Sequence, residues 1–171
     1  GLCNGKRCVD EILLKDLQVQ ISPGNGDRVV VLHQLGNHGP NYYERYPARF
    51  RRFTPTCENP ELGQGARQES VNAYDNALLY TDHFLAATIG FLKAQKDYET
   101  ALVYVSDHGE SLGEKGLFLH GVPYAIAPQE QIHVPMVMWF SPGFTCDALL
   151  DMQCLRKESA QSLSHDNMFL S

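Results

Sequence analysis

Four residues combine side-chain types suited to metal-assisted chemistry: Asp107, His108, His38 and His120. Imidazole nitrogen and carboxylate oxygen are good zinc donors, and imidazole also carries a proton near neutral pH. Asp107 and His108 are adjacent, so both reach one ion if the backbone turns sharply between them, which Gly109 permits. Each residue also has a plainer role. Asp107 could cap a helix starting at Gly109, His108 could be a surface loop residue, and His38 could serve only the turn between Asn37 and Gly39. His120 could be a satisfied, partly buried histidine. Four such residues in the strand-end loops of one sheet point instead to a metal site.

Those loops need elements to carry them. Arg28–His33 and Thr100–Ser106 are short apolar runs rich in β-branched residues, the pattern of strands covered on both faces. The first runs into the polar loop His33–Pro40, and the second delivers Asp107–Ser111 at its carboxyl end. A third strand is expected over His133–Phe140, with Pro135 near its start. Gln68–Ala94 reads as a long helix with Val71, Tyr74, Leu78, Leu85, Ile89 and Leu92 on one stripe. A shorter helix is expected over Asp10–Leu17, capped by Asp10, before a turn cluster at Ser22–Asp27. Ser164 and Asp166 look like the start of a last helix. This order predicts an α/β fold, a mainly parallel sheet sandwiched by helices, with ligands outside the carboxyl ends of the strands.

Composition is that of a globular chain, 43% hydrophobic and 20% charged. No stretch approaches the roughly 20 apolar residues of a membrane helix. The net charge of −6 argues against a nucleic-acid partner. The short basic cluster Arg49, Arg51 and Arg52 reads as a solvated face, although it could meet anionic headgroups. Five cysteines suggest an oxidising compartment, with local pairs Cys3–Cys8 and Cys146–Cys154 and Cys57 left over. The chain does not begin with methionine, and both ends read as cuts in something longer.

Ser106-Asp-His-Gly-Glu-Ser-Leu-Gly-Glu114, followed by Leu119-His-Gly-Val-Pro123, resembles the lipid A phosphoethanolamine transferases. These belong to the alkaline phosphatase and sulfatase superfamily and include the mobile colistin-resistance enzymes. The likeness continues through Leu32–Pro40, Phe53–Cys57, Ala73–Leu79, Ala127–Gln131 and Ser164–Asn167, nearly the whole chain in unbroken order. It implies an alkaline phosphatase/sulfatase-like fold, with residues 1–171 forming part of a periplasmic catalytic domain truncated at both ends. It implies that Asp107 and His108 hold a catalytic Zn2+, and that His38 and His120 bind the phosphoethanolamine phosphate or, depending on loading, a further zinc. Glu110 would support that shell from behind. The donor would be phosphatidylethanolamine and the acceptor lipid A. An N-terminal domain absent from this chain would hold the enzyme in the bacterial inner membrane, facing the periplasm, and the product would confer polymyxin resistance.

The likeness also marks departures. The family's threonine nucleophile and a zinc-binding glutamate lie upstream of the region matched, and no threonine here stands in the nucleophile's motif. No catalytic nucleophile is therefore assigned to this chain, and by itself it is expected to be inactive. Gly65 stands in the stretch where the family partner of Cys57 is found. Other readings are another superfamily hydrolase or phosphoglycerol transferase, or a non-catalytic, truncated metal-binding remnant.

Overall fold

The computed structural model describes residues 1–21, 26–63 and 65–169; most of the turn cluster expected at Ser22–Asp27 lies outside them. The expected first helix appears as a 3-10 turn, Asp10–Leu14, followed by α1 (Leu17–Gln20). Asp10 does not cap it. Its carboxylate instead accepts from the backbone N–H groups of Leu35 (3.2 Å) and Gly36 (2.9 Å), tying this segment to the loop that carries His38.

The long helix is α2 (Arg67–Lys93), within a residue of the span expected. Its buried face differs from the apolar stripe. Leu78 is 49% exposed, while Ala73, Asn76, Ala77, Tyr80, Thr81 and Phe84 are buried. The reason is what α2 packs against: irregular loops whose backbone groups must be satisfied wherever they are buried. Asn76 Oδ1 accepts from the N–H groups of Arg52 (2.7 Å) and Phe53 (2.9 Å), and its amide donates to the Phe53 carbonyl at 2.9 Å. Asn72 donates to the Pro55 carbonyl at 2.8 Å. Thr81 donates to Asn37 Oδ1 at 2.8 Å, which holds the residue beside His38. The apolar centre under these bonds is Tyr46, Ala77 and Tyr80, with Val9 and Phe50 against it.

Two of the three expected strands form: β1 (Ala101–Val105) and, after a two-residue pair β2 (Ser111–Leu112) and β3 (Phe118–Leu119), β4 (Met136–Phe140). β1 pairs with β4 and β2 with β3, and both pairings are antiparallel, with Ala101 opposite Phe140 and Val105 opposite Met136. The mainly parallel sheet is therefore not what the described residues build. A parallel return needs a crossover of a dozen or more residues, usually a helix, and between β1 and β4 the longest helix is the four-residue α3 (Gln129–Ile132).

The expected strand Arg28–His33 is also absent as a strand. Val29 and Val31 are 91% and 85% exposed, and no described residue pairs with this run. An apolar strand takes its hydrogen bonds from neighbours on either side, and no such neighbour is present among the described residues.

The chain closes with α4 (Pro142–Asp147), α5 (Met152–Glu158) and α6 (Asp166–Phe169). The expected start of α6 is present: the Ser164 N–H donates to Asn167 Oδ1 at 2.9 Å. Cys3 and Cys8 form the expected disulfide. Cys146 and Cys154 do not pair. They sit on the successive helices α4 and α5, exposed and unbonded. Cys57 is free, and a Cβ placed on Gly65 would lie 4.0 Å from its Sγ.

Candidate metal centre

β1 ends at Val105, and Ser106 then holds the next turn by donating its hydroxyl to the His108 carbonyl at 2.7 Å. Asp107 caps no helix here. Its Oδ1 accepts from the His108 N–H at 3.0 Å, and its Oδ2 lies 3.8 Å from His108 Nε2. Gly109 serves the loop through closeness rather than through an unusual φ. Its N–H donates to the Gln131 carbonyl at 3.0 Å, and a Cβ there would stand 2.0 Å from the Glu130 carbonyl oxygen.

The loop after β1 and the β2–β3 hairpin bring His108 and His120 side by side, with ring centroids 3.8 Å apart. His38 arrives from the other loop, its ring 4.9 Å from that of His120 and 5.9 Å from that of His108. One ligand-capable nitrogen from each of the three lies within 4.8 Å of the others. The resemblance separates His108 from His38 and His120 by role, whereas the geometry gathers all three and leaves the Asp107 carboxylate at the rim, 80% exposed.

Each Nδ1 faces an oxygen that can only accept: the Gly39 carbonyl at 2.7 Å for His38, the Gly109 carbonyl at 2.9 Å for His108, and Glu110 Oε1 at 2.6 Å for His120. Each Nδ1 is therefore the donor, and each Nε2 keeps the lone pair that binds a metal ion or takes a proton. That donor set fits zinc.

Glu110 is the buried member of the site, its side chain only 4% exposed. Besides the His120 imidazole, it accepts the Tyr42 hydroxyl at 2.6 Å. Burial, followed by the hydrogen bond and negative charge of Glu110, drives the Tyr42 phenol far above its ordinary pKa, so Tyr42 stays a donor. Burial likewise raises Tyr104 on β1, with the Asp107 charge second. Beside the histidines opens a cleft of about 430 Å³ whose lining includes Asp107, His108, His120, Tyr124 and His165.

Three contributors escape a reading by residue type. Tyr42 and Arg45 follow the His38 loop in a stretch with no metal-binding pattern, and His165 sits at the start of α6. His165 donates Nε2–H to the Ser106 carbonyl at 2.8 Å, linking α6 to the end of β1. Its only signal in the sequence is its place in the Ser164–Asn167 block.

The sulfatase family model matches residues 1–171. The chain belongs to the sulfatase family. It is 47% identical over 169 residues to phosphoethanolamine transferase EptA of Escherichia coli K12, covering 98% of this chain and 31% of that protein. The soluble domain of lipooligosaccharide phosphoethanolamine transferase A from Neisseria meningitidis superposes with a TM-score of 0.93 at 46% identity, over 98% of this chain and 51% of that one. The C-terminal periplasmic domain of EcEptC from Escherichia coli, solved in complex with Zn, superposes with a TM-score of 0.71 at 28% identity, over 89% of this chain and 43% of that one. The fold is thus alkaline phosphatase/sulfatase-like, and the chain spans about a third of the EptA relative. Among the described residues, no helix is long and apolar enough to cross a membrane.

Proposed function

We propose that this chain is part of the periplasmic catalytic domain of an inner-membrane, zinc-dependent transferase. It would move phosphoethanolamine from phosphatidylethanolamine to a lipid A phosphate. The observation that carries the reading is the convergence of His38, His108 and His120 with every Nδ1 already bonded. A relative that is a phosphoethanolamine transferase, and a structural neighbour solved with zinc, the periplasmic domain of EcEptC, support it. Asp107 and His108 would hold the ion through Oδ2 and Nε2. Zinc, when bound, lowers the pKa of a hydroxyl nucleophile and neutralises charge on a phosphoryl group in transfer. His38 and His120 would meet the phosphate through Nε2, donating a hydrogen bond when protonated or binding a further zinc when not. The nucleophile would be a threonine outside these residues: its hydroxyl oxygen would bond to phosphorus as the diacylglycerol oxygen leaves and takes a proton, and a lipid A phosphate oxygen would then displace the threonine. Adding a cationic ethanolamine removes negative charge from lipid A, the basis for the expected polymyxin resistance.

The test is transfer from a fluorescent phosphatidylethanolamine analogue to lipid A. The complete protein should form a labelled threonine adduct and product, both lost with chelator, and the 171-residue chain alone should form neither. Zinc-dependent product from the chain alone would overturn the placement of the nucleophile. Hydrolysis of a sulfate ester by the complete protein, without transfer, would favour a sulfatase instead.

A further inference from the structure

The 3-10 turn Tyr42–Glu44, closed by an N–H of Arg45 donating to the Tyr42 carbonyl, is linked to two of the three histidines, to His120 through Glu110 and to the His38 backbone through Arg45. Tyr42 is 1% exposed, and its hydroxyl takes one oxygen of Glu110 while His120 Nδ1 takes the other, each at 2.6 Å. With each oxygen committed to a different donor, the carboxylate cannot rotate, and the His120 ring cannot turn over without leaving a buried oxygen unpaired. Three residues on, Arg45 Nε donates to the His38 carbonyl at 2.7 Å. The Tyr42 ring is itself fixed edge-on against Tyr74 of α2, with centroids 5.5 Å apart. Gly39 shows how tightly the two histidine loops meet there. A Cβ on it would lie 2.5 Å from Leu119 Cδ2, next to His120, and 2.7 Å from the Tyr42 hydroxyl.

We propose that this turn is the positioning element of the histidine cluster: Tyr42, through Glu110, fixes His120 in its Nδ1–H tautomer, and Arg45 fixes the backbone that presents His38. Neither residue touches the ion or the reacting atoms. The inference rests on the metal-site reading above, but its test does not require transfer to occur.

The measurement is nitrogen-15 NMR of the imidazoles in the complete, metal-free protein, followed by zinc titration against a competing chromogenic chelator. Tyr42→Phe keeps the ring and removes only the hydroxyl. It should convert His120 from one tautomer to a mixture and weaken the further zinc-binding event that needs His120 about 10- to 100-fold, the usual effect of losing a group behind a ligand, while the event at Asp107 and His108 stays unchanged. Arg45→Met should move the His38 signals and leave the His120 tautomer unchanged. If Tyr42→Phe does not fold, Glu110→Gln decides, because the amide puts an NH2 donor where one of the two acceptor oxygens stood. Wild-type tautomers and zinc affinity in these folded variants would reduce the turn to packing and overturn the proposal. A wild-type protein that binds zinc and transfers nothing would remove the transferase reading and leave this one standing.

Discussion

The loop carrying His38 and the run Arg28–His33 are neighbours in sequence and opposites in how they are held. The loop is tied by the Asp10 carboxylate, by Thr81 through Asn37, and by Arg45 at the His38 carbonyl. The run just before it makes no ladder, and Val29 lies open. The difference is where each segment's hydrogen bonds originate. A loop satisfied by side chains of its own chain keeps its shape, whereas a strand borrows half of its bonds from neighbours. The metal-binding geometry is thus more self-contained than the sheet meant to support it.

That contrast can be broken most severely at the histidines. In the complete protein His108→Ala should abolish both transfer and bound zinc. His120→Ala should cut transfer roughly 10²–10⁴-fold while leaving most of the zinc, the range typical of a lost acid or positioning group. Zinc content per folded protein separates the two, and an equal fall in both would make His120 a primary ligand.

Next come the anchors. Asn76→Ala removes the acceptor of the Arg52 and Phe53 N–H groups and the donor to the Phe53 carbonyl, and should cost about 2–3 kcal/mol by urea unfolding, since part-buried backbone groups lose their partners. Gly109→Ala drives a methyl into the Glu130 carbonyl and should cost about 1–3 kcal/mol, with zinc affinity falling alongside.

A smaller effect is expected at Glu114. Burial alone would raise its pKa, but the N–H groups of Glu114 and Leu112 and the Arg67 guanidinium outweigh it and hold the carboxyl below its usual range. A lowered folded-state pKa gives stability that is present above the unfolded value and disappears as pH falls through the folded one. Arg67→Met should therefore flatten the acid limb of a melting-temperature profile below about pH 4.5. The pair is partly exposed, so the change at neutral pH should stay under about 1 kcal/mol. Least of all, Val29→Ser in the 171-residue chain should shift stability by no more than about 0.5 kcal/mol. A larger loss would show that the run is covered after all.

The α2 span, two of the strands and the Cys3–Cys8 bridge were legible because each has a local signature, and His38, His108 and His120, singled out by residue type, do lie close together. Periodicity marks a helix, β-branched runs mark strands, and adjacent ligand-type residues mark a metal loop. Strand direction was not legible, because it depends on what the connection between β1 and β4 can span. The polar face of α2 was missed because Asn72, Asn76 and Thr81 look solvent-facing until the loops they serve are placed. Tyr42 and Arg45 were missed for the same reason: a residue that steadies a ligand need resemble neither a ligand nor its neighbours in sequence.

None of the three Nδ1 bonds involves the ion, so the imidazoles are aimed before it arrives. Little of the binding free energy is then consumed in organising the ligands, unlike in small zinc domains that fold only around their metal. Zinc should behave as an exchangeable passenger. Calorimetric binding should show a small heat-capacity change, and chelation should lower the melting temperature only by the mass-action amount while the far-ultraviolet circular dichroism stays intact. Collapse of the helical signal on chelation would mean that the ion, and not the loops, holds the site together.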